Sequence, residues 1–111
     1  MKVHELISTC GFCVVNEGEH MDSEISTPYC CDLLSIVMGS APAGAAWVTV
    51  MNNVNTLGVA FLADVSCVIL SCGTNFDSAA LQRAQKEGIT ILSTPLPSFD
   101  AALEVYQAIH G

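Results

Sequence analysis

The sequence predicts an α/β sandwich in three layers, with a largely parallel sheet of about four or five strands covered by helices. Three observations carry this expectation. From Ala46 onward, short apolar runs alternate three times with helical segments, and parallel neighbours require crossovers of that kind, which are right-handed. The runs Val65 to Leu70 and Ile89 to Leu92 are apolar or small nearly throughout, as expected of strands covered on both faces. Finally, 51% of the 111 residues are hydrophobic and only 13% are charged. That composition excludes disorder and supports one core, read as a single domain over residues 1–111.

Each element follows from local chemistry. Val3 to Cys10 reads as a helix closed by Gly11, the residue that best tolerates the left-handed C-cap conformation. Phe12 to Val15 reads as a strand, and Glu17 to Ser26, with four acids, as an exposed loop. Thr27 to Cys31 is a short strand with Pro28 at its start or on an edge. Asp32 is placed to cap the apolar helix Leu33 to Met38, which runs out at Gly39 before the turn Ala41 to Gly44. The three regular units then follow. They pair the strand Ala46 to Met51 with the helix Asn52 to Ala63, the strand Val65 to Leu70 with the helix Asp77 to Glu87, and the strand Ile89 to Leu92 with the helix Ser98 to His110. Strand order is not encoded at this level.

Charge excludes whole classes of partner. Eleven carboxylates face only Lys2, Arg83 and Lys86, a formal charge of −8, so no basic patch exists for nucleic acid or an anionic membrane. The apolar runs fall short of the roughly 20 residues that span a bilayer, and no basic and then apolar leader opens the chain. A cytoplasmic protein is expected. The six cysteines, Cys10, Cys13, Cys30, Cys31, Cys67 and Cys72, then read as free thiols, Cys67 as a core residue. Cys10-Gly11-Phe12-Cys13 keeps the spacing of a metal or redox pair open. Against it, Cys10 lies at the end of a helix rather than at its start, where the dipole would stabilise a thiolate.

In open α/β sheets ligands bind beyond the carboxyl ends of the strands. Here those ends carry Asn52, Asn53 and Asn55, then Ser71, Gly73 and Thr74, then Ser93 and Thr94. These groups offer hydrogen bonds without charge, beside helix starts whose free N–H groups attract anions. Taken singly, each is also explained as a cap or turn residue. The asparagine cluster stands out, because a cap needs only one such residue. Catalytic motifs are absent: there is no phosphate-binding Gly/Lys loop, dinucleotide fingerprint, nucleophile elbow or zinc-binding His pair. His4, His20 and His110 lie away from the strand ends, and three metal ligands cannot be assembled. No enzymatic activity, metal or cofactor is expected.

The tracts Asp32 to Gly39, Ala46 to Asn55 and Val68 to Gly73 resemble the DRTGG domain in its small stand-alone form, and through it the N-terminal domain of HPr kinase/phosphorylase. The likeness runs from Lys2-Val3 through the last helix, and Trp47 to Asn55 is its most specific part. The letters that name the family are missing; Ser71-Cys72-Gly73 stands where its Thr-Gly-Gly would align. The resemblance implies a three-layer α/β fold and a regulatory or ligand-sensing role. The expectation is thus a non-catalytic module that forms a homodimer and binds a small polar metabolite or nucleotide. Two alternatives stay open. One is an assembly module docking on a redox or kinase partner through Trp47, Tyr29 or Phe99, and the other is a thiol or metal site at Cys10 and Cys13.

Overall fold

The computed structural model describes all 111 residues. Its elements are α1 (Val3–Cys10), β1 (Cys13–Asn16), β2 (Pro28–Cys30), α2 (Leu34–Ser40), β3 (Ala46–Thr49), α3 (Val54–Ala63), β4 (Cys67–Leu70), α4 (Ser78–Glu87), β5 (Ile91–Ser93) and α5 (Ser98–His110). The five strands form one sheet in the order β1-β5-β4-β3-β2. β2, β3, β4 and β5 run parallel, and β1 returns antiparallel beside β5. Pro28 opens the edge strand β2, where its missing N–H costs no ladder bond.

Side-chain alternation along the strands divides the interior into two cores. Trp47, Val68, Leu70 and Ile91 point to the face covered by α2, α3 and α4. Ala46, Val48, Cys67, Ile69 and Leu92 point to the other, covered by α1 and α5. Every residue of β3 and β4 is buried, as the apolar runs require. The result is the three-layer α/β sandwich that the sequence predicts.

Caps explain most helix boundaries. Gly11 and Gly88 adopt φ of 69° beyond α1 and α4, Asn53 caps α3 by accepting from the Asn55 N–H, and Asp77 caps α4 by accepting from the Ala80 N–H. Asn52 therefore precedes α3 rather than opening it.

Two expectations need correction. Asp32 does not cap α2, whose N-cap is Leu33 without a side-chain bond. Its Oδ1 instead accepts from the Thr49 hydroxyl at 2.8 Å and the Val50 N–H at 3.0 Å, because the end of the neighbouring strand offers two donors. The segment Glu17 to Ser26 is also more than an exposed loop. Ile25 is buried in the α1/α5 core, Glu24 bridges to Lys2, and the Val3 and His4 N–H groups donate to the Ser23 and Met21 carbonyls. Those bonds occupy donors that α1 leaves free at its start.

Cys67 is wholly buried, and desolvation pushes its thiol up to about 12. An ordinary thiol ionises near 9, so the unfolded chain releases a proton that the folded chain keeps. The contribution to stability is complete below about pH 9 and is lost as pH rises toward about 12, at a slope that approaches about 1.4 kcal/mol per pH unit. Cys67→Ala is expected to remove this part of the alkaline decline. Urea midpoints of both proteins between about pH 8 and 10.5 check it, and parallel declines would contradict it.

Candidate functional site

The parallel strands β2, β3, β4 and β5 all end on one edge of the sheet, where the connections beginning at Cys31, Val50, Ser71 and Thr94 meet. Antiparallel β1 adds its beginning to the same edge, since Cys13 pairs with Ser93. A cleft of about 290 Å³ opens there, lined by Cys10, Gly11, Phe12, Cys13, Gly73, Asn75, Ser93, Thr94 and Pro95. No charged side chain lines it. The strand-end candidates Gly73, Ser93 and Thr94 share this cleft with both cysteines of the Cys10/Cys13 pair.

The other candidates lie around it with internal duties. Ser71 is buried, its hydroxyl 2.6 Å from that of Ser98. The Thr74 hydroxyl donates to the Ser71 carbonyl at 2.9 Å. Asn53 is occupied as the α3 cap, and Asn55 is exposed. Asn52 donates through Nδ2 to the Asn75 carbonyl at 2.9 Å, tying the β3–α3 connection to a residue of the cleft. The asparagine cluster thus supports the cleft and does not line it. Asn75 belongs to the strand-end loop Ser71 to Asn75, but neither it nor Gly11 and Phe12 is among the ligand-binding residues expected from sequence. Only the antiparallel return of β1 brings the α1–β1 turn here, and short-range pattern does not encode that pairing.

Electrostatics restrict what the cleft can hold. The Cys72 N–H donates to the Leu96 carbonyl at 2.8 Å, the Gly73 N–H to the Thr94 carbonyl at 3.0 Å, and the Thr74 N–H to the Ser71 carbonyl at 3.1 Å. Cys72 and Gly73 are both left-handed, with φ of 57° and 70°, yet their amides are spent inside the fold. The loop after β4 is therefore not an open anion cradle. The thiol of Cys10 is pushed up by burial and by the carboxylate of Glu104, which opposes thiolate formation. Its Sγ lies 3.7 Å from the Glu104 carbonyl. No group of three or more His, Cys, Asp or Glu side chains is arranged to hold a metal ion.

Two smaller cavities lie on the opposite, amino-terminal edge. One of about 160 Å³ is lined in part by His20, Phe61, Asp64 and Glu87, and the other, of about 180 Å³, by His20, Ser23, Glu24 and Asp64 among others. Neither contains a residue that the sequence marks for ligand binding. No helix is long and apolar enough to cross a membrane.

Among solved structures, the chain is similar to the CBS and DRTGG domains of the regulatory region of Clostridium perfringens pyrophosphatase, crystallised with its activator diadenosine tetraphosphate. The TM-score is 0.74 at 16% identity, over 96% of this chain and 46% of that one. The fold is DRTGG-like. At this identity the likeness is one of architecture, and this chain spans less than half of its neighbour. No family model matches, and no curated protein matches.

Proposed function

We propose that the chain is a non-catalytic regulatory module that self-associates and senses a small polar metabolite, a nucleoside or nucleotide, in the strand-end cleft. The observation that carries this reading is the coincidence of the largest cleft with the carboxyl ends of the parallel strands, the place where α/β sheets take ligands. The structural neighbour is a regulatory region bound to a nucleotide activator, which supports the same class of ligand. A lining that is neutral throughout favours the base and sugar over phosphates, and a protein of charge −8 repels polyanions.

Equilibrium dialysis with adenosine, its monophosphate and its triphosphate tests this. Affinity is expected to fall along that series, and salt is expected to strengthen the binding of the triphosphate by screening repulsion. Asn75→Trp, an exposed position on the cleft wall, is expected to fill the space and weaken adenosine binding at least about tenfold, equivalent to about 1.4 kcal/mol. Absence of binding by all three compounds at about millimolar concentration would refute the ligand half of the reading.

A second reading is favoured by one feature: Cys10 and Cys13 line the same cleft. If a thiol site were the function, the double substitution Cys10→Ser, Cys13→Ser would abolish it. Under the sensor reading the same variant retains adenosine binding. The docking alternative loses one anchor, because Trp47 is wholly buried; Phe99 is 72% exposed.

A further inference from the structure

No Asp, Glu, Lys, Arg or His occurs anywhere from Leu33 through Ala63. That stretch contains α2 and α3, which pack side by side on one face of the sheet. On their outer surface Leu33, Ile36, Met38, Val54, Phe61 and Leu62 are exposed, Leu62 to 69%, Leu33 to 59% and Phe61 to 58%. Six such side chains, each about half exposed, present on the order of 500 Å² of apolar surface. That is at the upper end for a monomer and approaches the roughly 800 Å² that each partner contributes to a standard interface. We propose that the α2/α3 face is where a second copy of this chain docks. The inference rests on the self-association in the reading above and names its surface.

Charge decides for a second copy and for this face. In a two-fold symmetric dimer the same patch meets itself, so a carboxylate within it is brought toward its own symmetry mate. Two copies together carry twice the net charge of −8, with few basic side chains to offset it. The other exposed apolar group, Phe99, Leu103 and Tyr106 on α5, is interleaved with exposed Asp100 and Glu104, so self-docking there sets acid against acid. The α2 and α3 segment itself brings no charge to repel a copy; the charges beside it lie at its α4 margin, where Arg83 reaches the Val54 carbonyl at 3.4 Å and pairs with Glu87, and where Phe61 shares a cavity with His20, Asp64 and Glu87. With Arg83 already paired to Glu87, the face offers little to attract or select a charged heterologous partner.

Sedimentation velocity across a range of protein concentrations tests the proposal. The wild type is expected to dimerise, and more tightly as salt rises from about 0.05 to 0.5 M, because screening relieves repulsion between the acidic bodies. Leu62→Glu and Ile36→Glu, both at exposed helical positions, are expected to weaken the dimer at least about a hundredfold. Phe99→Glu is expected to leave it intact. Circular dichroism of each variant confirms that it is folded. A wild type that stays monomeric at about 0.1 mM would overturn self-association itself. A dimer that survives Leu62→Glu and Ile36→Glu, or one lost with Phe99→Glu, would overturn the choice of face while leaving self-association standing. Neither result depends on whether the cleft binds adenosine.

Discussion

Trp47→Ala is expected to lower the unfolding free energy by about 4 kcal/mol, within the usual range for truncating a buried aromatic side chain to alanine. Trp47 is wholly buried in the core beneath α2, α3 and α4. That core also holds Val37, Leu57 and Ala60 of the covering helices, and a gap the size of the indole closes only in part. A second loss adds to the first. The indole Nε1–H donates to the Cys31 carbonyl at 2.9 Å, and removing it takes away that carbonyl's side-chain partner. Against a total of about 5–15 kcal/mol for a domain of this kind, the melting temperature is expected to fall by on the order of 20 °C. Trp47→Phe keeps most of the volume and loses the hydrogen bond, so a fall of about 1–2 kcal/mol is expected. Urea unfolding followed by far-UV circular dichroism measures both. Fluorescence cannot serve, because Trp47 is the single tryptophan. A loss below about 1 kcal/mol for the alanine variant would mean that the core closes over the gap.

The same side chain links stability to the candidate site. Trp47 holds Cys31, the next residue Asp32 accepts from Thr49 and Val50, and Thr49 in turn accepts from the Met51 N–H at 3.1 Å. Through these bonds β3 fixes the β2–α2 connection and the approach to Asn52, whose amide then reaches Asn75 on the cleft wall. Loosening Trp47 is therefore expected to reach the strand-end edge as well as the core.

How much of this was legible in sequence varies with the range of the interaction. The helix ends at Gly11 and Gly88 were readable, because a left-handed glycine acts within one turn, whereas Asp77, read as the first residue of α4, is its N-cap. The covered runs Val65 to Leu70 and Ile89 to Leu92, which carry β4 and the start of β5, were readable from their composition. Asp32 was misassigned because capping is the local use of an aspartate before a helix, whereas its partners Thr49 and Val50 are set by the pairing of β2 with β3. Ile25 was missed because one buried residue in a polar stretch has no periodicity to reveal it. At the site, Gly73, Ser93 and Thr94 could be placed by the rule for parallel strand ends. The joining of Cys10 to Cys13 with them depends on β1 pairing antiparallel to β5, a long-range choice that neither segment announces.

Gly18→Ala is expected to cost about 3 kcal/mol, an effect that only the tertiary structure makes visible. Its φ is not in the left-handed region, so glycine is not required there for backbone freedom. It is required for proximity. An added Cβ would overlap the Gly88 carbonyl oxygen and lie 2.5 Å from the Thr90 nitrogen and 2.6 Å from the Ile89 carbonyl carbon. All three are backbone atoms of the α4–β5 connection, so no flexible side chain can swing aside. Relief requires the segment around Gly18 to lift away, which endangers the Gly18 N–H bond to the Thr90 hydroxyl at 3.1 Å and the Glu19 N–H bond to the Gly88 carbonyl at 2.8 Å. Overpacking and the two strained bonds together account for the magnitude. Gly39→Ala supplies the contrast. Gly39 lies within α2, and its added Cβ would meet nothing within 4 Å, so the better helix former is expected to stabilise by up to about 1 kcal/mol. Chemical denaturation of the two variants therefore separates glycine as a spacer from glycine as a weak helix residue. Equal and small shifts for both would show that the Gly18 segment can move off the α4–β5 connection without cost.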